Sequence, residues 1–215
     1  MTGLRKRVAV LYAPGTNCEE ETMAAIRLAG GNPQLLFMTD ILRGRVRITD
    51  CDCFCVAGGF SGGDHIATGI LVATLLADHF RRLAEAKIPT CGICNGFQIL
   101  DRARLFTDGV TLTRNDSEVF CSMPVKHRVE KFPCVWTKGL EGKILTFPSA
   151  HGYGKVVGEG KPNVVLTYES ESPNGGQIAG ICSDNGLIFG LMDHPERHYD
   201  NQDGLEIFRN GIKAA

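Results

Sequence analysis

No apolar stretch in this 215-residue sequence approaches the ~20 residues that span a bilayer. The longest nearly apolar run, residues 67–77, falls well short. Charge of one sign is missing too: 23 Lys and Arg face 24 Asp and Glu, a net charge of −1. Such a balance gives no electrostatic footprint for nucleic acid or an anionic membrane surface. Internal repeats, low-complexity linkers and charge blocks are absent. Arg5, Lys6 and Arg7 precede only a short apolar stretch, residues 8–13, below the apolar region of a secretory signal. With 43 % hydrophobic and 22 % charged residues, the composition is globular. The length suits one domain over residues 1–215.

Glycine and cysteine are plentiful, at 26 and 9 residues. Glycine in excess without a collagen period predicts tight turns and close backbone approaches. An odd cysteine count excludes a complete intrachain disulfide framework. With no signal sequence, the thiols point to a reducing, cytoplasmic setting. One of them is then a candidate for chemistry.

The continuous apolar run Val8-Ala-Val-Leu-Tyr12, closed by Pro14-Gly15, predicts a strand buried on both faces. Asn17 is placed to cap a helix over 18–29, ended by Gly30-Gly31. Strands follow at 34–38 and 54–57. Ile66, Ile70, Ala73, Ala77, Phe80 and Ala84 recur at helical spacing, predicting one long amphipathic helix over 65–86. A buried strand at 90–93 runs into a helix over 97–105. Alternating strands and helices predict an open, doubly wound, mostly parallel α/β sheet. From residue 110 to 192 the texture becomes β-rich, with a hairpin at Asp184-Asn-Gly186. A last helix is predicted over 202–210.

Chemistry concentrates in a few segments. Gly92-Ile-Cys94-Asn-Gly96 is a nucleophile-elbow pattern with cysteine as the nucleophile: small flanking residues allow a strained turn between strand and helix. The helix then directs its N-terminal dipole at the thiol. A buried structural cysteine beside a glycine-rich turn is the bland alternative. In Asp193-His194-Pro-Glu196-Arg-His198, residues two apart in an extended segment point the same way, so Glu196 can orient His194 as a base for the thiol. A metal site of His194, Glu196 and His198 is the weaker reading, because Pro195 spoils the helix that would align both imidazoles.

Gly58-Gly-Phe-Ser-Gly-Gly63-Asp64 follows a strand. Gly58 and Gly63 have phosphate-loop spacing, but Asp64-His65 stands where Lys-Ser/Thr is required, and G-x-G-x-x-G is missing. Backbone donors for an oxyanion hole fit better. Pro148-Ser-Ala-His151-Gly-Tyr-Gly154 says little alone. Cys91 and Cys94 form C-x-x-C without a thioredoxin context, and Cys51, Cys53 and Cys55 alternate on one strand face as small packing residues.

In family order, Pro14-Gly-Thr-Asn-Cys18, Gly58-Gly-Phe-Ser61, Gly92-Ile-Cys-Asn-Gly-Phe-Gln-Ile-Leu100, Ala150-His-Gly152, Pro173-Asn-Gly175, Ile178-Ala-Gly-Ile-Cys182 and His194-Pro-Glu-Arg197 resemble one family over nearly the whole chain. These are the class I glutamine amidotransferases of the PurQ type, the glutaminase subunits of phosphoribosylformylglycinamidine synthase. Asn-Gly-Phe-Gln after the nucleophile is the discriminating string. The resemblance implies Cys94 as nucleophile, His194 as acid/base and Glu196 as the residue orienting it. It further implies an oxyanion hole from Gly59, Phe60 and Asn95, and a glutamine pocket bordered by Gln98, His151 and Gly152. No metal or cofactor is implied for this chain; ATP and Mg belong to a synthetase partner, accompanied by a small third subunit. The implied reaction supplies ammonia from L-glutamine to convert formylglycinamide ribonucleotide to its amidine. Departures fall at Gly62, where the family has Tyr, at His65-Ile-Ala67 in place of Tyr-Leu-Arg, and at Asp101-Arg-Ala-Arg104. These bear on the loop and the partner, and leave open a Cys hydrolase of another pathway or a silent regulatory subunit.

Overall fold

The computed structural model describes residues 5–63, 67–169, 171–197 and 201–215. The first half alternates as the apolar runs predict: β1 (Arg7–Tyr12), α1 (Glu19–Leu28), β2 (Asn32–Phe37), the short α2 (Met38–Leu42), β3 (Cys53–Val56), α3 (Ile70–Leu75), α4 (Ala77–Glu85), β4 (Thr90–Ile93) and α5 (Asn95–Arg102). Then come β5 (Val110–Thr113), β6 (Cys121–Val129), β7 (Ile144–His151), β8 (Lys155–Gly158), β9 (Asn163–Tyr168), β10 (Ile178–Cys182), β11 (Ile188–Leu191) and α6 (Asp203–Ala214).

Nine strands form one sheet in the order β2-β1-β3-β4-β11-β10-β9-β6-β7, while β5 and β8 make a separate ribbon. Pairing is parallel from β2 through β1, β3 and β4 to β11. It is antiparallel from β11 onwards to β7. The β-rich half therefore extends the parallel sheet. Strand order 2-1-3-4 is that of the flavodoxin-like folds, whose ligands sit beyond the carboxyl ends of the strands. Pro33 lies in β2, the sheet edge, where a missing N–H costs no ladder bond.

Buried apolar side chains form two clusters. One includes Val8, Val10, Cys53, Cys55, Cys91 and Phe97; the other holds Leu11, Phe54, Val56, Leu76, Phe80 and Leu83. This follows from alternation along fully buried strands. Cys53 and Cys55 share one face of β3 as predicted, whereas Cys51 precedes the strand and packs in the other cluster. All nine cysteines are free thiols. Burial holds Cys91 well above its ordinary value, that is, as a protonated packing group. Among the described residues, no helix is long and apolar enough to cross a membrane.

Several sequence expectations shift. The cap of α1 is Cys18 rather than Asn17, and it makes no side-chain capping bond. The helix expected over 65–86 is two helices, and residues 64–66 lie outside the described residues. Gly69, left-handed at φ 73°, starts α3, and Leu76 breaks the run. The apolar face rotates with the break. Val72, Ala73, Leu76, Phe80 and Leu83 are buried, while Ile70, Leu71 and Leu75 are exposed. Helix α5 begins at Asn95, two residues earlier than expected, because the chain turns directly at Cys94. The hairpin at Asp184-Asn-Gly186 joins antiparallel β10 and β11, with Gly186 at φ 73°.

Helix α6 covers the sheet near Trp136, which is fully buried and donates its indole N–H to the Leu187 carbonyl at 3.0 Å. A methyl group on Gly211 of α6 would lie 2.2 Å from the indole ring, so glycine there lets helix and ring meet. Trp136→Ala is expected to cost about 3–5 kcal/mol. Leu71→Ala, at a side chain 63 % exposed, should stay within about 0.5 kcal/mol of the parent. Urea denaturation followed by circular dichroism measures both.

Candidate active site

Four loops meet at the carboxyl ends of the parallel strands: Gly15–Cys18 after β1, Gly58–Ser61 after β3, Cys94 after β4, and Asp193–Arg197 after β11. Cys94 has φ 52° and ψ −111°, a conformation that costs a side-chain-bearing residue of order 1–3 kcal/mol. Its neighbours make the turn possible. A Cβ on Gly96 would lie 1.9 Å from the Val56 carbonyl oxygen of β3, and one on Gly92 would meet the Gly96 backbone at 2.7 Å. Two backbone bonds hold the turn: the Cys94 N–H donates to the Leu191 carbonyl at 2.8 Å, and Gln98 N–H to the Cys94 carbonyl at 3.1 Å.

His194 and Glu196 are brought to this thiol as the sequence predicts. His194 Nδ1 and Glu196 Oε1 are 2.7 Å apart, and both side chains are buried. The His194 N–H donates to the Pro148 carbonyl at 2.8 Å, tying the loop to β7. Burial disfavours a charged imidazole. The Glu196 carboxylate, then Cys94, and hydrogen bonding to the Cys18 and Cys94 sulfurs outweigh it and hold His194 well above its ordinary value.

The oxyanion-loop residues are placed unequally. Gly59 forms an isolated antiparallel bridge with Thr16. Phe60 N–H donates to the Gly15 carbonyl at 2.8 Å and Asn17 N–H to the Gly58 carbonyl at 3.3 Å. The Gly59 amide falls between these bonded pairs, whereas the expected Phe60 donor is already engaged. Asn95 opens α5, so its N–H belongs to the first helical turn, where donors lack an intrahelical partner.

Gln98 departs from expectation. Its Nε2 donates to the Tyr153 carbonyl at 2.6 Å. Its Oε1 accepts from Asn95 Nδ2 at 2.9 Å and Thr68 Oγ1 at 3.1 Å. Asn95 Oδ1 in turn accepts the Ser61 N–H at 3.0 Å. The side chains of Asn95 and Gln98 thus tie the oxyanion loop to the elbow. The sequence carried this pair as a string; its polar partners became visible only in the fold.

His151 also lies away from the cleft wall. A cleft of about 270 Å³ is walled by Cys18, Gly59, Phe60, Cys94, Ala150 and His194, with Asn17, Phe120, Ser122 and Arg197 completing it. Ala150 faces the cleft; strand alternation turns His151 to the other side of β7. There His151 Nε2 is 3.5 Å from Asp193 Oδ1, and His127 Nε2 is 2.8 Å from Asp193 Oδ2, all fully buried. Gly152, the other expected pocket residue, likewise lies off the cleft wall, its carbonyl accepting the Asn115 N–H at 3.0 Å. Burial pushes the Asp193 carboxyl up, but hydrogen bonds and charge from His127 and His151 win and hold it far below the usual carboxylate range. Asp193 sits beside a predicted site residue, and only the long-range approach of β6 and β7 gives it its partners.

Cys18 is the other residue missed as a site member. Buried at the end of the first loop, its sulfur lies near His194. A Cβ on Gly58 would touch both Cys18 Sγ and His194 Cε1 at 3.2 Å. Cys18 Sγ, a His194 ring nitrogen and a Glu196 carboxylate oxygen lie within 4.8 Å of one another. The metal reading of the sequence had placed His198 in such a set, but that residue, like Asp64 and His65, lies outside the described residues.

A cysteine on a strand-to-helix elbow, faced by a carboxylate-oriented imidazole on a flavodoxin-like sheet, is the arrangement of the class I glutamine amidotransferases. The model of the CobB/CobQ-like glutamine amidotransferase domain matches residues 5–206, and the chain belongs to this family. It is 39 % identical over 198 residues to the phosphoribosylformylglycinamidine synthase subunit PurQ of Pyrobaculum aerophilum, covering 90 % of this chain and 89 % of that one. The Thermomicrobium roseum protein of the same name is 37 % identical, with 97 % and 96 % covered. Among solved structures, a chain of PurLQS from Thermotoga maritima superposes with a TM-score of 0.88 at 32 % identity, covering 98 % of this chain and 99 % of that one. A second glutamine amidotransferase from Thermotoga maritima, 16 % identical with a TM-score of 0.61 over 89 % and 76 % of the two chains, shares the fold.

Two measurements check the electrostatics. In Glu196→Gln the largest influence raising the His194 value is removed while burial remains, so the imidazole should titrate lower, as followed by NMR of the ring nitrogens. Asp193→Asn should cost about 3–5 kcal/mol near neutral pH, because it leaves two buried imidazoles without their carboxylate. The folded value of Asp193 is depressed, so its contribution is complete above the unfolded carboxylate value of about 4 and declines as pH falls below it. The gap between wild type and Asp193→Asn in urea midpoint should therefore narrow in acid.

Proposed function

We propose that this chain is the glutaminase subunit of a phosphoribosylformylglycinamidine synthase, hydrolysing L-glutamine and handing ammonia to a synthetase partner. The observation that carries the reading is the junction of Cys94, on a turn at φ 52°, with the His194–Glu196 pair at 2.7 Å. The names of the relatives, matched over nearly their whole chains, support the pathway, and the PurLQS neighbour supports a multisubunit setting.

Cys94 attacks the γ-carboxamide carbon of glutamine. The amides of Gly59 and Asn95 receive the oxyanion, a contribution of ~3–4 kcal/mol per donor in comparable sites. His194, held protonated by Glu196, gives its proton to the departing nitrogen as the C–N bond breaks, releasing ammonia and leaving a glutamyl thioester. The neutral imidazole then takes a proton from water, which attacks the thioester and frees glutamate and the Cys94 thiol. Each residue works as part of one domain spanning residues 1–215. This chain binds no metal or cofactor for that cycle. ATP and Mg are used by the synthetase, which aminates formylglycinamide ribonucleotide to the amidine in the cytoplasm, with a small third subunit completing the complex.

Cys94→Ala in the reconstituted complex should abolish glutamine-dependent amidation, at least about 10³-fold. Amidation with free ammonium salts should persist, since the synthetase is untouched. Product formation with each nitrogen source measures this, and glutamine-dependent turnover by the variant would overturn the assignment.

A further inference from the structure

The proposed mechanism uses one thiol, yet two sulfurs face His194. We infer that Cys18, together with His194 and Cys94, forms an inhibitory site for a soft divalent cation, zinc above all. The inference rests on the catalytic reading of Cys94 and His194 and adds a regulatory ligand to that site.

Three observations carry it. First, Cys18 Sγ, a His194 ring nitrogen and a Glu196 carboxylate oxygen gather within 4.8 Å, all from buried residues. Thiolate and imidazole are among the ligands zinc prefers, with bonds of ~2.0–2.3 Å, so small side-chain shifts suffice, while the carboxylate stands as the partner that orients the imidazole. Second, the orientation is already that of a metal-binding histidine. Nδ1 is taken by Glu196 at 2.7 Å, leaving Nε2 for the metal and the carboxylate behind the ring as its orienting partner. Cys18, Cys94 and His194 line the same cleft, and a Cβ on Gly58 would touch Cys18 Sγ and the His194 ring at Cε1, both at 3.2 Å, so two sulfurs stand beside the imidazole. Third, the local charge accepts a cation. Arg197 donates from Nη2 to Cys18 Sγ at 3.6 Å, but its Nε is paired with Glu21 at 3.2 Å and Glu196 lies close by.

Cys18 reaches this place because its loop must pass under Gly58, where a Cβ would touch both its sulfur and His194. When zinc binds, the two thiols and the imidazolium each release a proton to solvent, and the three freed lone pairs become zinc ligands. No oxidation or group transfer occurs. The same metal-bound Cys94 and His194 are lost to catalysis, so the cation blocks glutamine hydrolysis and leaves ammonia-dependent amidation intact.

The test compares the wild-type complex with Cys18→Ser and Cys18→Ala under buffered free zinc, each activity scaled to its own metal-free value. Zinc should suppress glutamine-dependent but not ammonium-dependent amidation in the wild type. Both variants should require at least about tenfold more zinc for half-inhibition, as loss of a ligand demands. In parallel, cobalt added to the isolated chain should give a thiolate-to-cobalt charge-transfer band that weakens in the Cys18 variants. Equal zinc sensitivity in wild type and variants, or no Cys18-dependent cobalt band, overturns the inference. A Cys18-dependent band in a protein that never uses glutamine would instead retain the metal site and refute the catalytic reading.

Discussion

The close approach of α5 to β3 is the constraint on which the site depends. Gly96 packs where any Cβ would stand 1.9 Å from the Val56 carbonyl oxygen. That contact allows the helix to begin immediately after the strand, which forces Cys94 to φ 52°. A cysteine in that region is strained, and the strain is held by backbone bonds to β11 and within the helix. The outcome is a thiol placed above the sheet, at the first turn of a helix, with its neighbours' amides oriented alongside.

Around that turn, charges are arranged in two buried sets on opposite sides of β7. On the cleft side, Glu196 maintains His194 in its protonated form against burial. Behind it, Asp193 serves His127 and His151 and stays ionised. Successive residues, Asp193 and His194, thus belong to different networks. The backbone bond from His194 to Pro148 keeps both in register with the strand. A third network, Asn95 with Gln98, Thr68 and Ser61, fixes the oxyanion loop to the elbow. Residues that the family string singles out therefore divide into those that meet the cleft and those that position the others.

Much was legible because it rests on local rules. Buried parallel strands show as continuous apolar runs, and glycines flanking a cysteine mark a turn that only glycine can accommodate. The Cys94, His194 and Glu196 set was readable since two of its members are two residues apart and the third has its own motif. The long helix over 65–86 was misread because periodicity passed through Gly69 and Leu76 without registering either the left-handed turn or the break. His151 and Gln98 sit off the cleft wall for a related reason: a motif names a residue, while the side of the strand or helix it occupies, and the polar group it meets there, depend on other elements.

Composition, alternation and spacing determined the fold class and marked the Cys94 elbow and the His194–Glu196 pair, since these arise from steric and periodic rules acting within short stretches of chain. Only the tertiary structure decided which amides remain for an oxyanion, that Asp193 lies between two histidines, and that Cys18 shares His194 with Cys94. Those facts join residues far apart along the chain. No local pattern encodes such distances; they are set when strands from both halves of the chain enter one sheet and bring their carboxyl ends together.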